Sequence, residues 1–204
     1  YLPNEGFENW KGSGNCGETT SLVATKYTIS ANYSKTQRPF NEPSEWNGSN
    51  VNQSGFTGEL VISSENGYNK KGVTLTNKFV GFGKLGDKAP AFITLATPWV
   101  YANISDVKQS DGGTYGGTAF TYRPDALICY CKRSNTTGEK AHIITYLWSG
   151  TFKSKLPKTN TQYEDVDRIV LGKSTADVSG KLIASGEFEF TSTANNDWEK
   201  IIVP

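Results

Sequence analysis

Short runs of β-branched and aromatic residues, cut apart by Gly, Asn, Asp, Pro and Ser, recur along this chain, while helical periodicity is nearly absent. Runs of that kind suit pleated strands and not amphipathic helices. The clearest span residues 21–29, 58–63, 72–82, 91–101, 118–122, 126–132, 141–147, 167–171, 181–190 and 198–203. Alternation is plain at 186–190, where Phe188 and Phe190 take one face and Glu187 and Glu189 the other. In 126–132, Leu127, Cys129 and Cys131 share a face, and Ala126, Ile128 and Tyr130 share the opposite one. Both faces are apolar enough to predict a strand buried on both sides, or nearly so. About ten strands with turn signals between them predict an all-β fold, a jelly-roll β sandwich of two antiparallel sheets, as a single domain over 1–204. The longest polar stretches, 9–18, 30–54, 105–117 and 149–165, read as loops.

Composition removes several function classes. With 12% aromatic residues the 204-residue chain can bury a core, which argues against disorder. Lys and Arg number 21 against 20 Asp and Glu, so no basic field draws in nucleic acid. No apolar run approaches the roughly 18 residues of a membrane span. A single histidine, His142, excludes multi-histidine metal sites and weakens any Ser-His-Asp arrangement. The chain opens at Tyr1 and contains no Met, which leads us to expect that residues before Tyr1 were removed or left out. Three cysteines, Cys16, Cys129 and Cys131, are too few and too odd in number for a disulfide framework. Cys129 and Cys131 lie two apart on one strand and are poorly placed to bridge, so they read as small buried thiols. A link from Cys16 to one of them is the alternative.

Three segments hold the residues best suited to chemistry. In 2–10, Glu8 and nearby carbonyls offer hard oxygen ligands for calcium, whereas Phe7 and Trp10 read as core anchors. In 42–50, Trp46 either stacks on a sugar or plugs its loop onto the sandwich; the plug is favoured, because Trp is highly buried on average. In 115–127, glycines flank Tyr115, and Arg123 presents a planar fork for carboxylates or sugar hydroxyls, or else a structural ion pair. The glycines are not a phosphate loop, since no Lys-Ser/Thr follows them. Acid pairs such as Glu5 with Glu8, or Glu187 with Glu189, read as solvated faces rather than a glycosidase dyad.

Four segments in order resemble one family. They are Pro3-Asn4-x-Gly6-Phe7-Glu8-Asn9-Trp10, then Pro43-x-x-Trp46-Asn47-x-Ser49-Asn50, then Gly117-x-x-Phe120-x-x-Arg123-Pro124-x-x-Leu127 leading into Ile128-Cys129-Tyr130-Cys131-Lys132, and last Trp198-x-x-Ile201-x-Val203. Together they resemble the carbohydrate metabolism domain family of Bacteroidetes, found in secreted proteins and lipoproteins. Two departures stand out: the family pattern has an aromatic where Cys131 stands, and Cys129 is also atypical. The resemblance implies a jelly roll akin to carbohydrate-binding modules, in the periplasm or on the outer-membrane surface, with room for a lipid anchor upstream of Tyr1. It also implies a structural Ca²⁺ near Gly6-Phe7-Glu8, with Asp197 as a second ligand.

The expectation is therefore an extracytoplasmic module that binds a polysaccharide or oligosaccharide without chemistry of its own. Trp99, Tyr101, Tyr115, Arg123 and Trp148 are the candidate contacts, and Trp10 and Trp46 are assigned to structure. The rivals are a glycoside hydrolase, which needs facing carboxyls, and an adhesive surface module, which needs an exposed apolar patch.

Overall fold

A computed structural model of the chain describes residues 2–12, 19–21, 24–25, 28–29, 34–36, 41–53, 56–59, 61–101, 111–115, 117–134, 139–149, 181–190 and 195–204. Among these residues all regular structure is β and none is helical. In chain order the strands are β1 (Thr19–Ser21), β2 (Ala24–Thr25), β3 (Thr28–Ile29), β4 (Ser34–Thr36), β5 (Asn47–Gly48), β6 (Val51–Gln53), β7 (Phe56–Gly58), β8 (Val61–Ser64) and β9 (Gly72–Leu75). They continue with β10 (Lys78–Phe82), β11 (Leu85–Ala89), β12 (Ile93–Thr94), β13 (Thr97–Tyr101), β14 (Asp111–Tyr115), β15 (Leu127–Arg133), β16 (His142–Ser149), β17 (Lys181–Glu189) and β18 (Asn195–Val203). Pairing is antiparallel throughout except between β1 and β13, where Thr20 lies beside Trp99 in parallel register.

Two compact units emerge, one from the described residues up to Thr118 and one from those beginning at Ala119. In the first, β14-β13-β1-β4 form a four-stranded sheet, and the other strands pair in twos. The expected run 72–82 splits at Thr76-Asn77 into β9 and β10, and β10 turns back on β11 through Gly83-Lys84. Gly83 sits at φ 59°, the left-handed geometry that a two-residue hairpin turn of primed type demands at its first position. The loop expected over 105–117 contains β14, whose Gly112 and Gly113 pair with Val100 and Trp99. The backbone ladder supports this strand in spite of glycine's weak strand preference.

In the second unit β15 pairs with β18 and β16 with β17. Ile201 and Val203 of β18 are buried and supply its core, each contributing about 1.5–3 kcal/mol. Gly186, in the middle of β17, allows β18 to come close: a Cβ there would stand 2.3 Å from the Pro204 carbonyl oxygen and 3.0 Å from a Val203 methyl. Phe188 and Phe190 lie on one face as their alternation predicts, with ring centroids 5.1 Å apart. The segment 118–122 departs from expectation, because it has no ladder partner among the described residues. Phe120 and Tyr122 instead contact each other edge to face at 5.5 Å. The expected strand at 167–171 lies outside the described residues.

Candidate functional site

Residues 3–10 and 41–50 are occupied with each other. Asn4, in left-handed geometry at φ 46°, donates its amide to the carbonyls of Asn9 at 2.8 Å and Ser44 at 3.0 Å. The Trp46 indole donates to the Pro3 carbonyl at 2.9 Å, and its ring lies 5.4 Å from that of Phe7. Trp10 donates to the Phe7 carbonyl at 2.8 Å and pairs with Pro43 across an isolated bridge. Asn47 donates to Ala96, Ser49 accepts from the Phe92 amide, and Asn50 bonds both polar backbone groups of Val61. Fully buried Glu42 lies 3.6 Å from the Lys11 ammonium. These side chains satisfy backbone groups that irregular segments would otherwise leave unpaired in the interior. Trp10 and Trp46 accordingly have the structural roles that their sequence context predicts.

One open surface in the second unit is a face of the β15–β18 ladder. Ile128 stands opposite Ile202 and Tyr130 opposite Lys200. Lys132 extends its ammonium to 5.0 Å from the Trp198 ring centroid, a cation–π contact. Ile128 is 53% exposed, Ile202 52%, Tyr130 38% and Trp198 37%. This corrects the expectation that the strand is covered on both sides. Among the described residues β15 pairs with β18 alone, and packing covers the side of Leu127, Ile201 and Val203 while the side of Ile128 and Tyr130 faces solvent. The result is an apolar and aromatic surface bearing two lysines, with no carboxylate at its alternate positions Ile128, Tyr130, Lys132, Trp198, Lys200 and Ile202. Such a surface can stack on the CH faces of sugar rings and attract anionic substituents.

On the covered side, Cys129 and Cys131 place their sulfurs 3.8 Å apart, both as free thiols. The Cys131 S–H donates to Cys129, which lowers the Cys129 pKa, while burial acts against that shift. The same hydrogen bond, reinforced by burial and by the charges of Cys129 and Glu199, pushes the Cys131 thiol up. The hydrogen bond thus favours the Cys129 thiolate over that of Cys131.

His142 stands at the open end of the β16–β17 ladder. Its Nδ1 lies 2.7 Å from Glu187, and its Nε2 lies 3.8 Å from Glu189. Lys140 pairs with Glu189 at 2.7 Å and holds that carboxyl below the usual glutamate value. The two acids considered as a catalytic pair are thus tied to a histidine and a lysine on an exposed face.

The predicted contacts divide between the units. Trp99 and Tyr101 are on β13 and Tyr115 is on β14; their side chains lie outside the described residues. Backbone register pairs Trp99 with Gly113, Tyr101 with Asp111 and Tyr115 with Thr97, so the three aromatic positions fall on one face of the same ladder. Arg123 is exposed, on the segment that leads into β15. Trp148 is half-buried on β16, its ring 6.2 Å from that of Tyr146. Glu8 belongs to the first unit, where it accepts a hydrogen bond from the Lys71 amide at 3.2 Å, and Asp197 belongs to the second, on β18. Among the described residues no three His, Cys, Asp or Glu side chains converge as a metal site. Sequence reasoning missed Tyr130 and Trp198 as surface aromatics. Their signal was the alternation itself, which fixes a shared face without saying which face is open.

No protein family matches this chain, no curated protein is similar to it, and no solved structure matches it.

Proposed function

We propose that the chain is an extracytoplasmic, non-catalytic carbohydrate-binding module of jelly-roll type, related to the carbohydrate metabolism domain family and part of a glycan-utilisation system at the periplasm or cell surface. The observation that carries this reading is the open β15–β18 face, where Tyr130 and Trp198 stand exposed beside Lys132 and Lys200. Exposed aromatics on a rigid ladder bind sugars by stacking, and the lysines add hydrogen bonds to hydroxyl or acidic groups. Trp99, Tyr101 and Tyr115, together on the β13–β14 ladder, form a second candidate surface in the first unit. Arg123 and Trp148 are candidate contacts of the second unit. A structural Ca²⁺ bound through Glu8 or Asp197 belongs to the same reading.

The test is affinity electrophoresis on gels containing plant and host polysaccharides, with calcium and with chelator. Retardation should occur in at least one gel, and Tyr130→Ala and Trp198→Ala should each weaken it about tenfold. If every polysaccharide leaves the mobility unchanged, the proposal fails. If retardation survives the double variant but is lost in Trp99→Ala, binding belongs to the β13–β14 ladder.

A second reading draws on the exposure of Ile128 and Ile202 on the same face: an adhesive module that contacts protein. It predicts self-association or pull-down that Ile128→Ser abolishes and that no oligosaccharide competes away.

A further inference from the structure

We propose that Cys129 and Cys131 form a two-sulfur clamp for a thiophilic d10 metal ion such as Zn(II), Cd(II) or Cu(I). The two residues alternate along β15, so the pleat sends both side chains to one face, and their rotamers bring the sulfurs to 3.8 Å. A tetrahedral ion bound to two thiolates at about 2.3 Å holds them about 3.8 Å apart, so the thiols already have the spacing that the ion requires. Both residues are half-buried, which shields the sulfurs and leaves a path of approach. Soft thiolates select ions of this class over Mg²⁺ or Ca²⁺.

Binding releases both thiol protons to solvent, and both sulfurs become ligands. Water or an added ligand completes the shell, since no third His, Cys, Asp or Glu converges with the pair among the described residues. A two-thiolate site with open positions acquires or transfers an ion, whereas a structural zinc site closes with four protein ligands.

Cd(II) is the probe, added to the fully reduced whole chain in the absence of oxygen. The expected result is an ultraviolet sulfur-to-metal charge-transfer band that saturates at one ion per chain. Cys129→Ser and Cys131→Ser should each weaken binding by about two orders of magnitude, because either change leaves a one-point contact. Cys16→Ser should leave the band and its stoichiometry intact, and circular dichroism of each variant checks that the strands still pair. Absence of the band from the wild-type chain overturns the proposal without reference to any variant. A band that survives in the Cys129→Ser/Cys131→Ser double variant, or that Cys16→Ser abolishes, overturns it as well.

Discussion

The carboxamide of Asn50 bonds both polar backbone groups of Val61: its oxygen accepts from the Val61 amide at 2.8 Å, and its nitrogen donates to the Val61 carbonyl at 3.2 Å. One side chain thus substitutes for a neighbouring strand at the start of β8, in a place that no water reaches, since Val61 and Asn50 are both buried. Asn50→Leu keeps the volume and removes the partner. It should cost about 3 kcal/mol, because two buried backbone groups lose their hydrogen bonds. Urea denaturation followed by tryptophan fluorescence checks the figure, and a loss below about 1 kcal/mol would contradict this role for the amide.

Trp46 should report on the packing between the two N-terminal segments. Trp46→Phe keeps most of the ring contact with Phe7 and loses the bond to the Pro3 carbonyl, at a cost of about 1 kcal/mol. Trp46→Ala loses both and should cost about 3 kcal/mol. If the two variants unfold at the same denaturant concentration, ring packing is not what holds the segments together.

Gly186 tests the close approach of β18 to β17. Gly186→Ala places a methyl 2.3 Å from the Pro204 oxygen, so the strand must shift, and about 2 kcal/mol should be lost. Gly117, around which a Cβ meets nothing within 4 Å, is the matched control and should change stability by less than about 0.5 kcal/mol as alanine. Thermal melts of the two variants side by side measure the difference.

The Lys140–Glu189 pair predicts a pH dependence with a defined sign. The folded chain holds the Glu189 pKa below its ordinary 4.5, through the Lys140 hydrogen bond first and the charges of Lys140 and His142 after it. A carboxyl lowered by folding stabilises the fold above its unfolded pKa and loses that contribution as pH falls through the folded value. Glu189→Gln should therefore be less stable than wild type at pH 7 and equal to it in strong acid. The effect is small, because the pair is solvated. A gap between the two melting curves that widens on acidification would refute the assignment.

Strand periodicity exposed part of this architecture in advance. The alternation of Phe188 and Phe190 with Glu187 and Glu189 gave the correct faces of this part of β17, because over 186–190 only one side offered apolar groups to bury. The loop tryptophan at 46 was readable as a plug because Trp is highly buried on average, even in a turn-rich loop. β15 was harder. Ile128 and Tyr130 are as apolar as Leu127 and Cys129, so composition could not say which side another layer covers; that depends on β18, which lies far along the chain. β14 was hidden for a different reason, because Asp111-Gly112-Gly113-Thr114 carries the composition of a turn and becomes a strand only through the ladder that β13 offers. The sulfur spacing of Cys129 and Cys131 depends on rotamers, which a pattern of alternate residues leaves free.

The register that joins Leu127 to Val203 has a consequence for synthesis. β15 leaves the ribosome well before β18 exists, and in that interval it is a lone edge, apolar on both sides, with its backbone groups open to any other extended segment. Lys132 and Arg133 close the strand at its downstream end, where paired positive charges repel a second copy of the same edge. The Lys132 ammonium that later rests over Trp198 thus guards the nascent strand against its own kind until the proper partner arrives.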